Sequence, residues 1–153
     1  MSRLAARFAF LLLLAFSVQA SAQNTGPAFP HTELSIGMFR IDTEVAYTES
    51  LREYGLMFRK NMASNTGMVF IFDSPQLHCM WMKNTLLPLS VAFIDDAGKI
   101  INIEDMQPQT ETSHCAQRPA RFALEMNKGW FKDKNFKAGT KIVGLERFGV
   151  AAK

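Results

Sequence analysis

Two His-Cys pairs are the first residues in this sequence whose types and spacing suggest chemistry. They are His78-Cys79 and His114-Cys115, and they contain both cysteines of the chain. The pairs could form a disulfide, hold free thiols, or bind a metal through two sulfurs and two imidazoles. We favour the disulfide, because a small, even cysteine count usually means a bridge in an oxidising compartment. Against a metal site, neighbouring residues on a strand point to opposite faces and the spacing is not the C-x-x-C type of zinc sites.

A second group of polar side chains follows the first cysteine. Trp81 and Lys83 alternate along a predicted strand and should share a face. A buried cation beside an indole, near an amide and a hydroxyl group, could form a site for a small anion or a sugar. The candidate binding residues are Arg59, Trp81, Lys83, Asn84, Thr85 and Glu125.

A structural role is the alternative for the same residues. Asn84 and Thr85 could hydrogen-bond the turn before Pro88. Arg59 could form an ion pair with Glu125 or Glu104. The residue types alone favour this structural role over a ligand site.

Methionine offers another possibility, because exported proteins that handle copper use thioether ligands together with Cys or His. Methionine is also an ordinary core residue, and no Met-rich tract is present, so core packing is favoured over metal binding. We expect no cofactor. The eight methionines after the N-terminal segment are Met38, Met57, Met62, Met68, Met80, Met82, Met106 and Met126.

The usual catalytic motifs are missing from the sequence. There is no G-x-S-x-G, no H-E-x-x-H and no glycine-rich phosphate loop. No residue is therefore assigned a catalytic role. A hydrolase of unfamiliar type remains an alternative, and it would show itself by a deep cleft holding a carboxylate or imidazole of perturbed pKa.

Residues 1–22 have the pattern of a cleaved signal peptide: two arginines, the apolar run FAFLLLLAFSV, and the small residues Ala20-Ser21-Ala22. We expect cleavage near Ala22-Gln23 and a periplasmic or secreted product. The cleaved chain has 15 basic and 14 acidic side chains, so we expect no nucleic-acid partner, and no membrane association after cleavage.

The remaining chain is predicted to be one mainly β domain over 33–147, between a flexible leader at 23–32 and a tail at 148–153. Alternating or continuous apolar runs predict the strands, and Thr48 and Gly55 predict the ends of a short helix. The predicted strands are 34–38, 43–48, 68–72, 79–82, 91–94, 99–103, 121–126 and 141–145, and the predicted helices are 48–54 and 130–135.

Seven or eight short strands with one or two short helices predict a compact antiparallel sandwich or barrel. Two of the strands, MVFIF and CMWM, are apolar on both faces. Loops or short helices must therefore cover the outer face, and a pocket could lie under that cover.

Several strings occur together in a fixed order: GLMFR, GMVFIF, WMKNTLLPL, AFIDDAGKI, RFALEMNKG and KAGTKI. Over about 33–145 this order resembles the domain of unknown function 192 family, also called UPF-0127. The resemblance implies a compact, mainly β domain that is often exported, with no established activity. Family members often carry an acid after the Pro-Leu, where this chain has Ser90.

Taken together, these features favour a binding or accessory module over an enzyme. Its partner would be a small polar ligand or a periplasmic protein, held near Arg59 and the WMKNT segment. The alternatives are a copper-type metal-handling protein, with His78, Cys79, His114 and Cys115 as the other candidate metal ligands, and the unfamiliar hydrolase.

Overall fold

The computed structural model describes residues 26–149 as a mainly β domain, which confirms the predicted fold class. The predicted signal peptide and cleavage point lie outside the described residues. None of the helices within 26–149 is long and apolar enough to cross a membrane.

Nine strands, two short α-helices and a final 3₁₀ turn make up the domain. The strands are β1 (His31–Ile36), β2 (Phe39–Ala46), β3 (Thr66–Gln76), β4 (Cys79–Met80), β5 (Leu89–Ile94), β6 (Ile100–Met106), β7 (His114–Cys115), β8 (Ala120–Asn127) and β9 (Ile142–Val143). The helices are α1 (Glu49–Tyr54) and α2 (Trp130–Asp133), and the 3₁₀ turn is Leu145–Phe148.

Seven strands form one curled sheet in the order β6-β5-β8-β3-β2-β1-β9. Its two ends approach each other where the Ile100 amide donates to the Thr140 carbonyl and the Ile142 amide donates to the Gly98 carbonyl. The neighbours are antiparallel except β2 and β3, which run parallel because α1 carries the chain across between them. The second sheet contains only β4 and β7.

Each face of the large sheet carries a hydrophobic cluster. One cluster draws on nearly every strand and is completed by Trp130, Phe131 and Leu145. The other contains Phe70 and Val91 and is covered by side chains from loops and from α1. The expectation of a covered outer face is therefore confirmed.

Some predicted boundaries need correction. β1 begins at His31, which was predicted to lie in the flexible leader, and Phe29 before it is buried against the core. The predicted 79–82 strand ends at Met80, because the chain turns there and leaves Trp81 half exposed. The predicted 141–145 strand continues only to Val143 and then forms the 3₁₀ turn.

Candidate functional site

Three of the predicted binding residues meet in one crevice. Trp81, Thr85 and Glu125 line a narrow cavity of about 20 Å³, and α1 with the turn after it forms the opposite wall. The helix is held in this position by its N-cap, where the Thr48 hydroxyl accepts a hydrogen bond from the Leu51 amide. The structure thus joins residues that are far apart in the sequence.

Glu125 is the buried polar group of this crevice. It lies on β8, an interior strand of the large sheet, between Met68 of β3 and Val91 of β5, and its exposed fraction is 3%. No side chain or amide between residues 26 and 149 donates a hydrogen bond to its carboxyl group or forms an ion pair with it. Burial raises the pKa of Glu125 to about 8, so the group is a neutral acid at neutral pH.

A larger groove of about 640 Å³ borders the crevice and shares Arg52, Glu53, Phe70, Met80 and Trp81 with it. Arg52 is occupied by its neighbours: it donates to the backbone carbonyls of Tyr47 and Ile71 and pairs with Asp73 at 3.1 Å. It therefore fixes α1 to β3 and is not free to bind an anion.

Carboxylates outnumber cations in the groove lining, with Glu49, Glu53 and Asp73 against Arg52. Two half-exposed aromatic side chains, Tyr47 and Trp81, also border it. This lining suits a neutral or cationic ligand with an apolar surface better than the anion considered from the sequence.

The predicted buried cation beside an indole is wrong. Lys83 does lie over the Trp81 ring, with its ammonium nitrogen 5.1 Å from the ring centre, but both residues are exposed. Asn84 adopts a left-handed turn conformation, with φ of 55°, and its carbonyl accepts a hydrogen bond from the Phe58 amide. The Thr85 hydroxyl donates to the Lys83 carbonyl, so Thr85 hydrogen-bonds the turn before Pro88, as the structural alternative predicted.

Arg59 does not belong to the crevice. It pairs with Glu44 at 2.5 Å, and not with the predicted Glu125 or Glu104, because the segment after α1 runs beside β2. Its guanidinium also lies 5.9 Å from the Phe29 ring centre. Arg59 therefore ties this segment to the start of the domain.

The disulfide prediction is confirmed. Cys79 and Cys115 face each other across β4 and β7, with their Cα atoms 4.0 Å apart, and their sulfurs are bonded. The bond fixes the predicted 105–118 loop beside the WMKNT segment, where the Met82 amide also donates to the Thr110 carbonyl.

The alternative metal set does not fit this arrangement. Bonded sulfurs cannot act as thiolate ligands, and His78 is stacked on Phe72 with its Nε2 atom 3.0 Å from the Ser74 carbonyl. Within the described part of the chain, no three His, Cys, Asp or Glu side chains are grouped to hold a metal ion. Met82 is fully buried in the core, as an ordinary apolar residue is.

Ser90, which replaces the acid common in the family, has a structural partner. Its hydroxyl donates to Asp105 on β6 and accepts from the Gly129 amide before α2. The carboxylate at this point of the sheet thus comes from the neighbouring strand.

The sequence does not identify the groove residues Arg52 and Asp73 as site residues, and it indicates His78 only as an alternative metal ligand. The helix prediction gave the local context of Arg52, but it did not show that α1 packs beside the end of β3. That packing depends on the parallel pairing of β2 with β3, and a single sequence carries no clear signal of this pairing.

Solved structures share this fold. A protein from Sinorhizobium meliloti described as a proposed transcription regulator matches with a TM-score of 0.76 and 31% identity, over 80% of this chain and 99% of that one. A protein of unknown function from Novosphingobium aromaticivorans matches with a TM-score of 0.70 and 28% identity, over 78% of this chain and 93% of that one. No curated protein matches significantly.

The family comparison agrees with the order of motifs in the sequence. The model of DUF192, described as an uncharacterised ACR, matches residues 32–144. This match covers the curled sheet, the crevice and the disulfide. The chain therefore belongs to the DUF192 family.

Proposed function

We propose that this protein is an exported module that binds a small polar ligand in the groove beside α1. The observation that carries the proposal is the groove of about 640 Å³ with Trp81 on its wall, next to the crevice that contains Glu125. Arg59, which the sequence analysis placed at the centre of the expected site, does not line this groove. The site is instead centred on Trp81 and α1.

The lining of the groove supports a ligand that combines apolar and polar surface. The half-exposed rings of Tyr47 and Trp81 offer flat faces for stacking, and the carboxylates of Glu49 and Glu53 can accept hydrogen bonds. Trp81 and Tyr47 are large side chains that remain partly open to solvent, so a ligand could still cover them.

Export is supported by the N-terminal sequence pattern and by the disulfide. A bond between Cys79 and Cys115 persists in an oxidising compartment and is rare in a reducing cytoplasm. N-terminal sequencing of the purified product tests this part of the proposal, because a cleaved chain should begin at Gln23.

Binding can be tested with the two tryptophans of the chain as separate reporters. The Trp81 indole borders the groove, whereas the Trp130 indole is buried and donates to Asn65. In an NMR titration with small saccharides, amines and dipeptides, a ligand should shift the Trp81 indole signal saturably and leave that of Trp130 in place. Trp81→Ala should remove the binding, which is followed in this variant at the amide signals of α1. If the whole set leaves the Trp81 signal unmoved, or if Trp81→Ala binds as well as the wild type, the proposal is wrong.

One observation favours the hydrolase as a second candidate. A carboxyl group that keeps its proton at neutral pH is what a general acid requires, and Glu125 has this property. However, its crevice of about 20 Å³ admits a group the size of one water molecule and not a bond flanked by two substrate groups. If the protein hydrolyses chromogenic glycosides or esters and Glu125→Gln does not, the protein is a hydrolase. If the wild type hydrolyses none of them, ligand binding is the function that remains.

A further inference from the structure

We propose that the crevice beneath Trp81 binds a primary ammonium group of the ligand, with the Glu125 carboxylate as its counter-ion. This inference rests on the proposed function, because it names the chemical group that the groove would recognise. It starts from a buried carboxyl group that no other part of the described chain satisfies.

The size of the crevice selects the group. A volume of about 20 Å³ is close to what one water molecule needs, and an ammonium group has a similar size. A trimethylated ammonium or a guanidinium would not fit. Part of the wall is apolar, formed by Leu56, Met57, Phe70 and Met80 with the Trp81 indole. This part suits the methylene groups next to the nitrogen.

The charges around Glu125 favour a cation. The titratable side chains that face the crevice all come from α1: Arg52, Glu53 and Tyr54. The Arg52 guanidinium is held by two carbonyls and Asp73, and β3 and β4 present only Phe70 and Met80 there. No residue of the described chain therefore supplies the cation that a carboxylate at Glu125 would need, and a ligand can do so.

Binding must release a proton. Without ligand, Glu125 holds its proton at neutral pH, because burial raises its pKa to about 8. When R–NH₃⁺ enters, the carboxylic acid loses this proton to solvent and the carboxylate pairs with the ammonium, so one positive charge enters as one leaves. The affinity should therefore rise about tenfold per pH unit below this pKa and level off above it.

The experiment compares n-pentylamine with n-pentanol, which has the same chain and no charge. NMR titrations of the cleaved protein, followed at the Trp81 indole and at Glu125, give the Kd at several pH values between about 6 and 9. We expect n-pentylamine to bind about tenfold more tightly per unit of rising pH up to about 8, and n-pentanol to bind independently of pH. Trimethylpentylammonium, with the same charge and a larger head, should bind at least about tenfold more weakly than n-pentylamine at about pH 8.

Two variants separate Glu125 from the general charge of the groove. Glu125→Gln should bind n-pentylamine no better than n-pentanol and without pH dependence. Glu53→Gln removes an exposed carboxylate at the crevice opening; it should weaken n-pentylamine about two- to threefold and keep the pH dependence.

Two results would overturn the inference: a pH-independent Kd for n-pentylamine on the wild-type protein, or undiminished amine binding by Glu125→Gln. The first needs no variant, so it decides the question even if Glu125→Gln does not fold. If saccharides or dipeptides shift Trp81 and n-pentylamine does not, the amine inference fails and the binding function stands. If no probe shifts Trp81, the binding function itself fails.

Discussion

Glu125 stands out at the scale of single residues, because it places an ionisable group in the middle of a hydrophobic sheet. Its strand neighbours are Met68 and Val91, and nothing in residues 26–149 compensates its charge. Burying an unpaired carboxylate is costly, so the folded protein keeps the acid protonated. Replacing it with an apolar residue would stabilise the fold, and its presence therefore points to a role outside stability.

The first prediction is a fall in stability with rising pH caused by this one residue. The pKa of Glu125 is about 8 in the folded state, against an ordinary value of 4.5. Below about pH 4.5 the folded and unfolded states both hold the proton, so the free energy of unfolding does not change. Between about pH 4.5 and 8 only the unfolded state ionises, and the free energy of unfolding falls by about 1.4 kcal/mol per pH unit. Above about pH 8 the loss is complete.

Urea unfolding of the wild type and Glu125→Gln across this range measures the effect. The variant should lack this slope and be more stable than the wild type by more than about 2 kcal/mol at pH 8. Glu53→Gln, at an exposed position in α1, should keep the wild-type slope. Parallel curves for the wild type and Glu125→Gln would show that Glu125 ionises freely in the folded protein.

At the scale of elements, the short helix α1 positions the site. It has only six residues, too few for stability of its own. Its N-cap, the contacts of Arg52 with β3, and the packing of Leu51 and Tyr54 on the core hold it in place. Because one wall of the crevice is α1, loosening the helix should open the crevice.

The second prediction concerns the N-cap. Thr48→Ala removes the acceptor for the Leu51 amide and should lower the free energy of unfolding by about 1 kcal/mol. Hydrogen exchange of the α1 amides should become faster, while the amides of β8 exchange as before. Thr48→Ser keeps the hydroxyl oxygen and serves as the matched control. Equal exchange rates in all three proteins would mean that tertiary packing alone holds α1.

Much of this element layout could be predicted from the sequence. The β1–β2 pair, the ends of α1 at Thr48 and Gly55, and the β5–β6 pair depend on local patterns, and the structure contains all of them. Strand β2, however, begins at Phe39 and not at the predicted residue 43. The parallel β2–β3 pair and the true position of Arg59 depend on contacts between distant segments. The apolar segment around Trp81 predicts a buried strand, but in the structure the strand ends one residue earlier, at Met80.

At the scale of the whole molecule, the disulfide joins the two strands of the small β4–β7 sheet. Cys79 and Cys115 are 36 residues apart in the sequence and face each other across this sheet. Cys79 also borders the groove. The bond therefore supports the loop that carries Trp81 as well as the fold in general.

The third prediction is the cost of losing this bond. On the chain-entropy model, opening a loop of this length lowers the free energy of unfolding by roughly 3–4 kcal/mol. Thermal unfolding of Cys79→Ser/Cys115→Ser against the wild type measures the loss, and the Trp81 indole signal should broaden more than that of Trp130. Alkylation without reductant checks the premise, since a wild-type chain that takes up two alkyl groups has no such bond.

The position of β8 also governs how the chain folds. β3 and β5 both pair with β8, and no other strand connects them. The large sheet therefore cannot assemble until residues 120–127 have been synthesised, and folding must wait for pairings between distant segments, which are slow to form. A nascent chain that stops before Ala120 leaves the inner edges of β3 and β5 unpaired. The chain therefore stays unfolded during most of its synthesis, in a state that can pass through a membrane channel.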